Sequence, residues 1–564
     1  MKRRNSTLNR TQKRFWKIFF ATVAVISLIV GFYSFSQYLK GQSSVLSQTN
    51  TNSLSQTNTN SNCGSPSGGP TDNPIASLYG NNAYPWTKDM KWGCVYNIKD
   101  FNGSKDRDRF NAARDAAVAG GGGVIYFPAG TYNFNDSIQI ADGVIIRGET
   151  PGVKDAKSDS YQPPTKLVFP KYEPKLSGSG TPNDTAFKKI TTARPDKDSN
   201  IGIVNVDINR AAIAFKADID SGTNQNVVVF GVRSNNVAEP DPTVPDTSFQ
   251  EAWQRYSYRF ATNIKLNAFA NALVANNRVN DNITDNYDQP GYKIKARKKN
   301  SIITFEGGEV PFHYGNHYGI AVNRGKSSGF KNGATPEEEP GLFRKGIVIR
   351  DNWVYHTMRV AIYASGDGLI IKDNIIKDRS GKQWWVDPTG KKETTGAVTL
   401  ENRAIDWSGS NVLVDGNNYE VYRHKIGNSK YLSTDGEGIL AQECCGGTII
   451  DGVTISNNQG NAYIGLYKVR DIKNAKIIGN ELNSNVTNTS LIYVVADTNY
   501  GSFSVDNVLV KDNTVAGSIL VKGSAGGRGN VIEDNVGNGR GNISYSCSVN
   551  EVKNNRGFEV QPCS

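Results

Sequence analysis

The sequence predicts an all-β protein: a right-handed parallel β-helix with an N-terminal capping helix, preceded by one transmembrane helix. Two short apolar motifs that recur through the second half of the chain predict the β-helix. A charge-free apolar run near the N-terminus predicts the membrane span. The predicted segments are a basic cytoplasmic stretch at 1–17, a signal anchor at 18–39, a polar linker at 40–72 and the β-helix domain at 73–564.

The predicted anchor is the run IFFATVAVISLIVGFYSFSQYL, which contains no charged residue. A helix of this length, at about 1.5 Å per residue, crosses the roughly 30 Å hydrocarbon core of a bilayer. Basic residues precede the run, so the rest of the chain is expected to be exported. A cleaved signal peptide, with Ser34 and Ser36 at a weak cleavage site, is the alternative. Both interpretations place the domain on the extracytoplasmic side, at the cell surface or in the periplasm.

The net charge of +11 comes from 64 Lys and Arg against 53 Asp and Glu. Residues 1–71 hold 8 of the basic residues and no acid, so removing 8 from 64 leaves 56 basic against 53 acidic groups in 72–564. Because the excess charge belongs to the targeting segment, no nucleic-acid partner is expected. Residues 41–72 are rich in Ser, Thr, Asn, Gln and Gly, which predicts a flexible linker.

The six cysteines fit an oxidising, exported domain. Cys547 and Cys563 are placed to staple the C-terminal end, and Cys63 and Cys94 to tie the linker to the domain. The vicinal pair Cys444–Cys445 forms a strained ring or pairs elsewhere, since spacing alone does not fix the connectivity. No C-x-x-C pair is present, so neither a zinc cluster nor a thioredoxin-type site is expected.

The first elements of the domain follow from local pattern. Residues 104–119 predict a helix with Ser104 as its N-cap and the glycine run at 120–123 as its end. The following segments VIYFPAGTYNF and GVIIRG predict short strands separated by turns.

The strongest signal is an aliphatic residue followed three positions later by Asn. It occurs nine times, mostly near one or two multiples of about 22 residues, and a shortened copy ends at Asn480. Stacked coils would let these Asn side chains hydrogen bond at a spacing of about 4.8 Å, and Asn tolerates the left-handed backbone of a tight corner. The nine pairs are Val232/Asn235, Val274/Asn277, Ile349/Asn352, Ile371/Asn374, Val414/Asn417, Ile455/Asn458, Val510/Asn513, Ile532/Asn535 and Val552/Asn555.

A second series of Ile residues keeps pace with the first. Two apolar strands per coil at a fixed period indicate a solenoid, in which stacked coils share one core. An antiparallel sandwich is the alternative, but its turns would not keep Asn in register over so many residues. The series contains Ile320, Ile362, Ile405, Ile439, Ile464, Ile519 and Ile543.

The stretch DFNGSKDRDRFNAARDAAVAGGGGVIYFPAGTYNFNDSIQIADGVIIRGE resembles the N-terminal cap and first turns of the pectate-lyase superfamily, and more narrowly its rhamnogalacturonase/epimerase-like branch. Residues 120–132 and 143–148 carry the likeness, whereas Lys105–Arg109 replace the usual paired Asp and Thr. The resemblance implies a right-handed parallel β-helix over about 95–560. That fold hosts lyases, hydrolases, epimerases, tailspikes and adhesins, so it leaves the activity open.

The motifs of the polygalacturonase-type hydrolases, Asn-Thr-Asp, Asp-Asp, Gly-His-Gly and Arg-Ile-Lys, are absent. The calcium and arginine motifs of pectate lyases are not recognisable either. Asp-rich turns would supply oxygen ligands for calcium, but no defined motif specifies the ion, and no metal site is predicted.

Aligning the Ile series brings ionisable residues from different coils together between residues 401 and 443. Tyr318, Val360, Arg403 and Glu437 fall in one column, two residues before each Ile. The candidate catalytic residues are Asp406, Asp435, Glu437 and His424. The candidate substrate-binding residues are Arg359, Arg403, Tyr422, Trp384, Trp385 and Trp407.

These residue types predict a carbohydrate-active protein for an extracellular, uronate-containing polysaccharide. A hydrolase would use two carboxyl groups, from Asp406 and Glu437 or Asp435. A lyase or epimerase would use His424 or Tyr422 as the base and arginines to bind the uronate. The basic stretch at 293–299 would attract an acidic glycan.

Three structural interpretations stand beside the functional ones. Arg403 and Glu437 would form a simple cross-strand ion pair, Asp435 would form a turn, and the tryptophans would cover the core. The alternative function is a non-catalytic glycan-binding or adhesive surface protein.

Overall fold

The computed structural model describes residue 63 and fifteen ranges within the unit Asn62–Ser564. Within these ranges no helix is long and apolar enough to cross a membrane, and the predicted anchor at 18–39 lies outside them. The described ranges are 68–171, 188–194, 197–217, 224–237, 262–280, 318–323, 343–355, 360–378, 402–421, 436–441, 449–469, 471–483, 490–496, 504–523 and 527–563 with residue 63 apart.

The strands form three ladders, here called A, B and C, in which every pairing is parallel. Ladder A contains β1 (Val95–Asn97), β2 (Gly123–Phe127), β5 (Val144–Gly148), β8 (Ile201–Val204), β11 (Gln225–Phe230), β14 (Ala270–Ala275), β17 (Ile347–Arg350), β20 (Ile370–Lys372), β23 (Leu413–Asp415), β26 (Ile449–Ser456), β29 (Asp471–Ile478), β32 (Ser504–Asp506), β33 (Leu509–Lys511), β36 (Asn530–Glu533) and β38 (Val549–Lys553).

Ladder B contains β3 (Gly130–Asn133), β6 (Thr165–Val168), β9 (Asp207–Asn209), β12 (Arg233–Asn235), β15 (Arg278–Asn280), β18 (Trp353–Tyr355), β21 (Ile375–Asp378), β24 (Asn418–Val421), β27 (Gln459–Gly460), β30 (Glu481–Leu482) and β34 (Thr514–Val515). Ladder C contains β4 (Ile138–Ile140), β7 (Lys188–Thr192), β10 (Ala211–Lys216), β13 (Thr262–Asn267), β16 (Tyr318–Val322), β19 (Val360–Ser365), β22 (Asn402–Ser408), β25 (Gly436–Ala441), β28 (Tyr463–Val469), β31 (Ser490–Ala496) and β35 (Ser518–Lys522). The long strand β37 (Val536–Tyr545) runs through ladders B and C, and β39 (Arg556–Val560) pairs with it. Because each coil contributes one strand to each ladder in turn, the chain is a parallel β-helix, as predicted.

One buried column of isoleucines runs through ladder C. The seven predicted residues pair coil to coil, and the column also includes Ile138, Ile190, Ile213, Ile264 and Ile492. Each of these side chains is at most 2% exposed. At about 1.5–3 kcal/mol for each fully buried side chain, the column is a major contribution to the shared core.

The predicted Asn ladder lies at the corner between ladders A and B. Each side-chain amide donates to the side-chain oxygen of the next Asn at 2.8–3.0 Å, and the members are Asn277, Asn352, Asn374, Asn417, Asn458, Asn480, Asn513, Asn535 and Asn555. The shortened copy at Asn480 is therefore a full member. The inclusion of Asn235 was wrong: Val232 occupies the ladder position, its backbone N–H donates to Asn277, and Asn235 instead donates to Asp207.

The residue with the left-handed backbone at each corner is also not the predicted one. The positive φ belongs to the residue before each ladder Asn, for example Asn276, Asp351 and Asp373. The ladder Asn itself keeps an ordinary backbone and uses its side chain to satisfy buried backbone groups, as Asn352 does for the carbonyl of Val274. The residue before each ladder Asn thus turns the chain, and the ladder Asn itself hydrogen bonds to the adjacent coils.

Within the described ranges, two α-helices accompany the coils. The capping helix α2 (Asp106–Ala119) buries Phe110, Ala113 and Ala117 against the first coils, as predicted. Its N-cap is Lys105, which makes no side-chain cap bond, so the assignment of Ser104 was wrong by one residue. The shorter α1 (Pro74–Tyr79) was not predicted, and Asn73 caps it by accepting hydrogen bonds from two backbone N–H groups. Two 3₁₀ turns lie at Pro85–Asp89 and Ile98–Asp100.

Residues 68–93, here called the N-terminal strap, pack on the outer face of ladder A. The fully buried Arg147 donates to the backbone oxygen of Asp72 at 2.5 Å and to its carboxylate at 2.7 Å. Four strands further along ladder A, beside β17, the Tyr79 hydroxyl donates to Asp351 at 3.0 Å. The Arg350 guanidinium lies 4.5 Å from the centre of the Tyr79 ring. The last residues of the predicted linker therefore lie against the β-helix.

Both predicted disulfides between described cysteines are present. Cys63 is bonded to Cys94 at the start of β1, and Cys547 to Cys563 at the last coil. The vicinal pair Cys444–Cys445 lies outside the described residues.

Candidate functional site

The candidate site lies on the outer face of ladder C, where the regular alternation of side chains breaks. In β22 the consecutive residues Ala404 and Ile405 both belong to the hydrophobic core. Arg403 and Asp406, three positions apart, therefore both lie on the outer side of the strand.

Three of these outward side chains form an ion cluster. The Arg403 Nε donates to Glu437 Oε2 of the next coil, and Arg403 Nη1 donates to Asp406 Oδ2 at 2.5 Å. The side chains of Arg403, Asp406 and Glu437 are 4%, 7% and 14% exposed, so Glu437 is the most accessible member. One cation between two carboxylates gives this cluster a net charge of −1.

The strand register confirms the predicted column. Tyr318 pairs with Val360, Val360 with Arg403, and Arg403 with Glu437. The column continues to Tyr463, with a shift of register after Glu437. Residues 34 apart in sequence, Arg403 and Glu437, are therefore neighbours through the stacking of coils.

Two tyrosines complete the cluster. The hydroxyls of Tyr463 and Tyr467 donate to Glu437 Oε1 at 3.0 and 3.2 Å and lie 3.2 Å from each other. Gly465, between them, makes room for this arrangement, since a Cβ there would lie 2.9 Å from the Tyr467 ring and 2.8 Å from Leu440. Neither tyrosine was predicted from the sequence, although Tyr463 directly precedes Ile464 of the Ile series and could have been found from it.

The two phenols are held in their protonated form. Burial first, and then the adjacent Glu437, raise the pKa of both Tyr463 and Tyr467 far above the usual range. Both hydroxyls are therefore proton donors, and neither is suited to act as a general base in this arrangement. Glu437 has donors around both of its oxygens, which matches the acceptor-only character of an ionised carboxylate.

Trp407 does not contribute a sugar-stacking surface. Its side chain is fully buried in the hydrophobic core, opposite the small residues Ala364 and Ala441 of the adjacent coils. The interpretation of Trp407 as a core residue is the correct one, because position 407 follows the inward Ile405 by two. The neighbouring core residue Tyr419 is also buried, and its hydroxyl donates to the carbonyl of Ala462 at 2.7 Å.

The remaining candidates lie outside the described residues: Arg359, Trp384, Trp385, Tyr422, His424 and Asp435. Two of them directly precede strands of ladder C in the sequence, since Arg359 precedes Val360 of β19 and Asp435 precedes Gly436 of β25. Among the residues that the structure describes, no group of three His, Cys, Asp or Glu side chains is arranged to hold a metal ion.

Comparison with known proteins gives structural matches only. No family model matches the chain, and no curated protein matches it. The surface adhesin PfbA of Streptococcus pneumoniae matches at 14% identity over 83% of this chain and 93% of that one, with a TM-score of 0.42. The A-module of the Azotobacter vinelandii mannuronan C-5 epimerase AlgE6 matches at 13% identity over 83% and 100%, with a TM-score of 0.32.

A mutant tailspike protein of the E. coli bacteriophage HK620, in complex with a pentasaccharide, matches at 10% identity over 82% of this chain and 78% of that one, with a TM-score of 0.42. Identities and TM-scores this low carry no argument about activity. The fold rests on the three ladders and the shared core of the chain itself. The chain is a parallel β-helix protein.

Proposed function

We propose that this chain is an exported, membrane-anchored protein that binds an extracellular polysaccharide on the outer face of ladder C and cleaves or modifies it. The observation that supports the proposal is the ion cluster of Arg403, Asp406 and Glu437, with tyrosines beside its most accessible carboxylate. A structural ion pair needs no second carboxylate and no pair of phenols on the same oxygen. Carboxylates and phenols together are suited to the hydroxyl groups of sugars.

A hydrolytic reaction would use the two carboxyl groups in different forms, one ionised and one protonated. Glu437, surrounded by donors, suits the ionised role. Asp406 or Asp435 would then be the acid, and Asp406 must lose its contact with Arg403 before it can carry a proton. Arg403 therefore positions the pair in the resting protein.

A lyase or epimerase reaction would need a base near C5 of a uronate and cations on its carboxylate. His424 or Tyr422 would be the base, with Arg359 and Arg403 as the binding arginines. The basic stretch at 293–299 supports a uronate-containing polymer through simple attraction. At the described cluster itself Arg403 is already bound by two carboxylates, which favours the hydrolytic role.

The second candidate is a non-catalytic glycan-binding or adhesive protein. The low exposure of Arg403 and Asp406, 3% and 5%, is the observation that favours it, because a buried ion cluster also serves to join two coils. Among the matched structures, PfbA is described as a surface adhesin and AlgE6 as an epimerase.

The test uses the full-length protein in detergent with a panel of neutral and uronate-containing polysaccharides. Absorbance from unsaturated uronides would identify a lyase, and new reducing ends without that absorbance a hydrolase. We expect Glu437→Gln to reduce turnover at least about 100-fold with the fold intact. The matched control is Glu481→Gln, an exposed glutamate on ladder B, which should leave turnover unchanged.

Two outcomes would contradict the enzymatic proposal. Binding without product from any glycan would leave the adhesive candidate, and absence of binding would end both. Anchoring is tested separately: deletion of residues 1–40 together with a replacement cleavable signal peptide should release the protein from the membrane fraction into the exported soluble fraction.

A further inference from the structure

Among the described residues, the outer face of ladder C is more exposed on the C-terminal side of the ion cluster than on its N-terminal side. Toward the N-terminal coils, Val360, Tyr363 and Tyr318 on the outer face of ladder C are 1%, 5% and 3% exposed. Toward the C-terminal coils, the side chains that follow Glu437 on the same face are only partly buried, and they are Tyr463, Tyr467, Tyr493 and Leu520. A ligand that reaches Glu437 therefore meets tyrosines first.

These tyrosines form a continuous aromatic surface across two adjacent coils. The rings of Tyr463 and Tyr467 lie 6.4 Å apart, and Tyr467 meets Tyr493 edge to face at 5.5 Å. Tyr493 pairs with Gly465, so no side chain separates it from the cluster in the preceding coil. Adjacent coils are about 4.8 Å apart, and this surface therefore matches the size of a single sugar ring beside Glu437.

We propose that Tyr463, Tyr467 and Tyr493, here called the tyrosine subsite, bind one uncharged sugar unit of the polysaccharide next to Glu437. This inference rests on the proposed function and adds the chemical class of the unit at that position. Charged units of the polymer would lie elsewhere along the chain of coils.

The charge of the cluster is the reason for an uncharged unit. A sugar carboxylate beside Glu437 would face the two carboxylates of Glu437 and Asp406, while Nε and Nη1 of Arg403 already donate to them. Like charges at such short range disfavour binding. A neutral sugar can instead donate its hydroxyls to Glu437 and to the two phenol oxygens, because a phenol that donates its own hydrogen still accepts through its oxygen.

The rings supply the second part of the recognition. A tyrosine presents an apolar face together with a polar tip, which fits a pyranose with its own apolar face and equatorial hydroxyls. Tyr493 makes no contact with Glu437 in the described hydrogen bonds, so its ring can be changed without altering the hydrogen bonds of the cluster. It is the residue that tests binding separately from chemistry.

The experiment measures dissociation constants of the full-length protein for two sets of hexasaccharides. The neutral set contains hexamers of glucose, galactose, mannose and N-acetylglucosamine, and the acidic set contains hexamers of galacturonate and mannuronate. We expect binding from the neutral set, weakened about tenfold by Tyr493→Ala and largely kept by Tyr493→Phe. The matched control is Trp353→Ala, an aromatic change on ladder B, which should leave binding unchanged.

A charge variant sharpens the result. Glu437→Gln removes one negative charge, so acidic hexamers should bind about tenfold more tightly to it than to the wild type. Tight binding of acidic hexamers to the wild type that depends on Tyr493 would overturn the inference but leave the proposed function standing. If neutral hexamers bind Tyr493→Ala as tightly as the wild type, the inference would also be overturned, while the proposed function would stand. Absence of binding by either set, and by polysaccharides, would remove the proposed function and the inference together.

Discussion

The Asn ladder at the corner of ladders A and B and the ion cluster on ladder C are built on the same coils, but they differ in how they repeat. In the Asn ladder every coil contributes the same residue, and each side chain both donates to and accepts from its neighbours. In the ion cluster three adjacent coils contribute three different residues at the same position of the column: Arg403, Glu437 and Tyr463. Residues that repeat from coil to coil stabilise the stack, whereas the candidate site lies where the residues of adjacent coils differ.

The comparison also separates two kinds of buried polar group. An Asn in the ladder is neutral and satisfied within the stack, so it contributes stability with little desolvation cost. The cluster buries an Arg shared between two acids, and such a buried ion cluster is a weak source of stability. We therefore expect changes at the corner to affect folding, and changes at the cluster to affect function more than folding.

The largest expected effect on folding is at the middle of the Asn ladder. Asn417→Ala would remove the acceptor of both the backbone N–H and the side-chain amide of Asn374, and leave the carbonyl of Ile371 without this donor. We expect the free energy of unfolding to fall by about 3 kcal/mol, measured by urea denaturation and circular dichroism. The neighbouring exposed Asn418→Ala should change it by less than about 0.5 kcal/mol. Equal effects at both positions would contradict the role given to the ladder.

A smaller effect on folding, joined to an effect on function, is expected at Gly465. A methyl group there would clash with the Tyr467 ring and move its hydroxyl away from Glu437. We expect Gly465→Ala to cost about 1–2 kcal/mol of stability and to lower glycan turnover about tenfold. Gly152→Ala, where a Cβ would meet nothing within 4 Å, is the control and should change neither quantity. Unchanged turnover in Gly465→Ala would show that the contact between Tyr467 and Glu437 is not needed for activity.

The smallest expected effect is a pH dependence of the N-terminal strap. Burial alone would raise the pKa of Asp351, but hydrogen bonds from Lys157 and Arg350 outweigh it and hold the pKa below the ordinary 3.8. The stabilising contribution of Asp351 is therefore present above the unfolded pKa and is lost as the pH falls through the lower folded value. The hydrogen-exchange protection of α1, relative to the intrinsic rate at each pH, should fall below about pH 4. Asp351→Asn should make that protection less dependent on pH. Protection that persists unchanged to pH 2 in the wild type would contradict this contact.

Much of the fold was predictable because the spacing of the repeated residues determines which residues of adjacent coils pair with each other. The Ile series and most of the Asn ladder were assigned correctly from spacing alone, since a coil that buries Ile405 must bury its counterparts in the coils above and below. The assignment failed at Asn235, where the pattern matched by chance and Val232 holds the corner. The N-terminal strap and α1 were not predicted, because residues 68–93 are held by contacts with ladder A rather than by any local repeat.

The candidate site was predictable only in part. Arg403 and Glu437 were placed in one column because both precede an Ile by two residues. Strict alternation would still have turned Arg403 inward with Ile405, and only the inward Ala404 explains its outward position. Tyr463 was missed because the register shifts between Glu437 and Ile439, which shortens the spacing to the next coil. Where strands are irregular, a fixed sequence period therefore fails to identify the residues that are neighbours in the candidate site.

The most direct test of the central claim is a double-mutant cycle between Arg403 and Glu437, which are joined only if the coils stack as described. The free energies of unfolding would be measured for Arg403→Met, Glu437→Gln and the double variant in the full-length protein. We predict a coupling energy of about 1–3 kcal/mol, because each substitution alone removes the same charged contact. A coupling energy of zero within about 0.3–0.5 kcal/mol would contradict the contact, and with it the site built on ladder C.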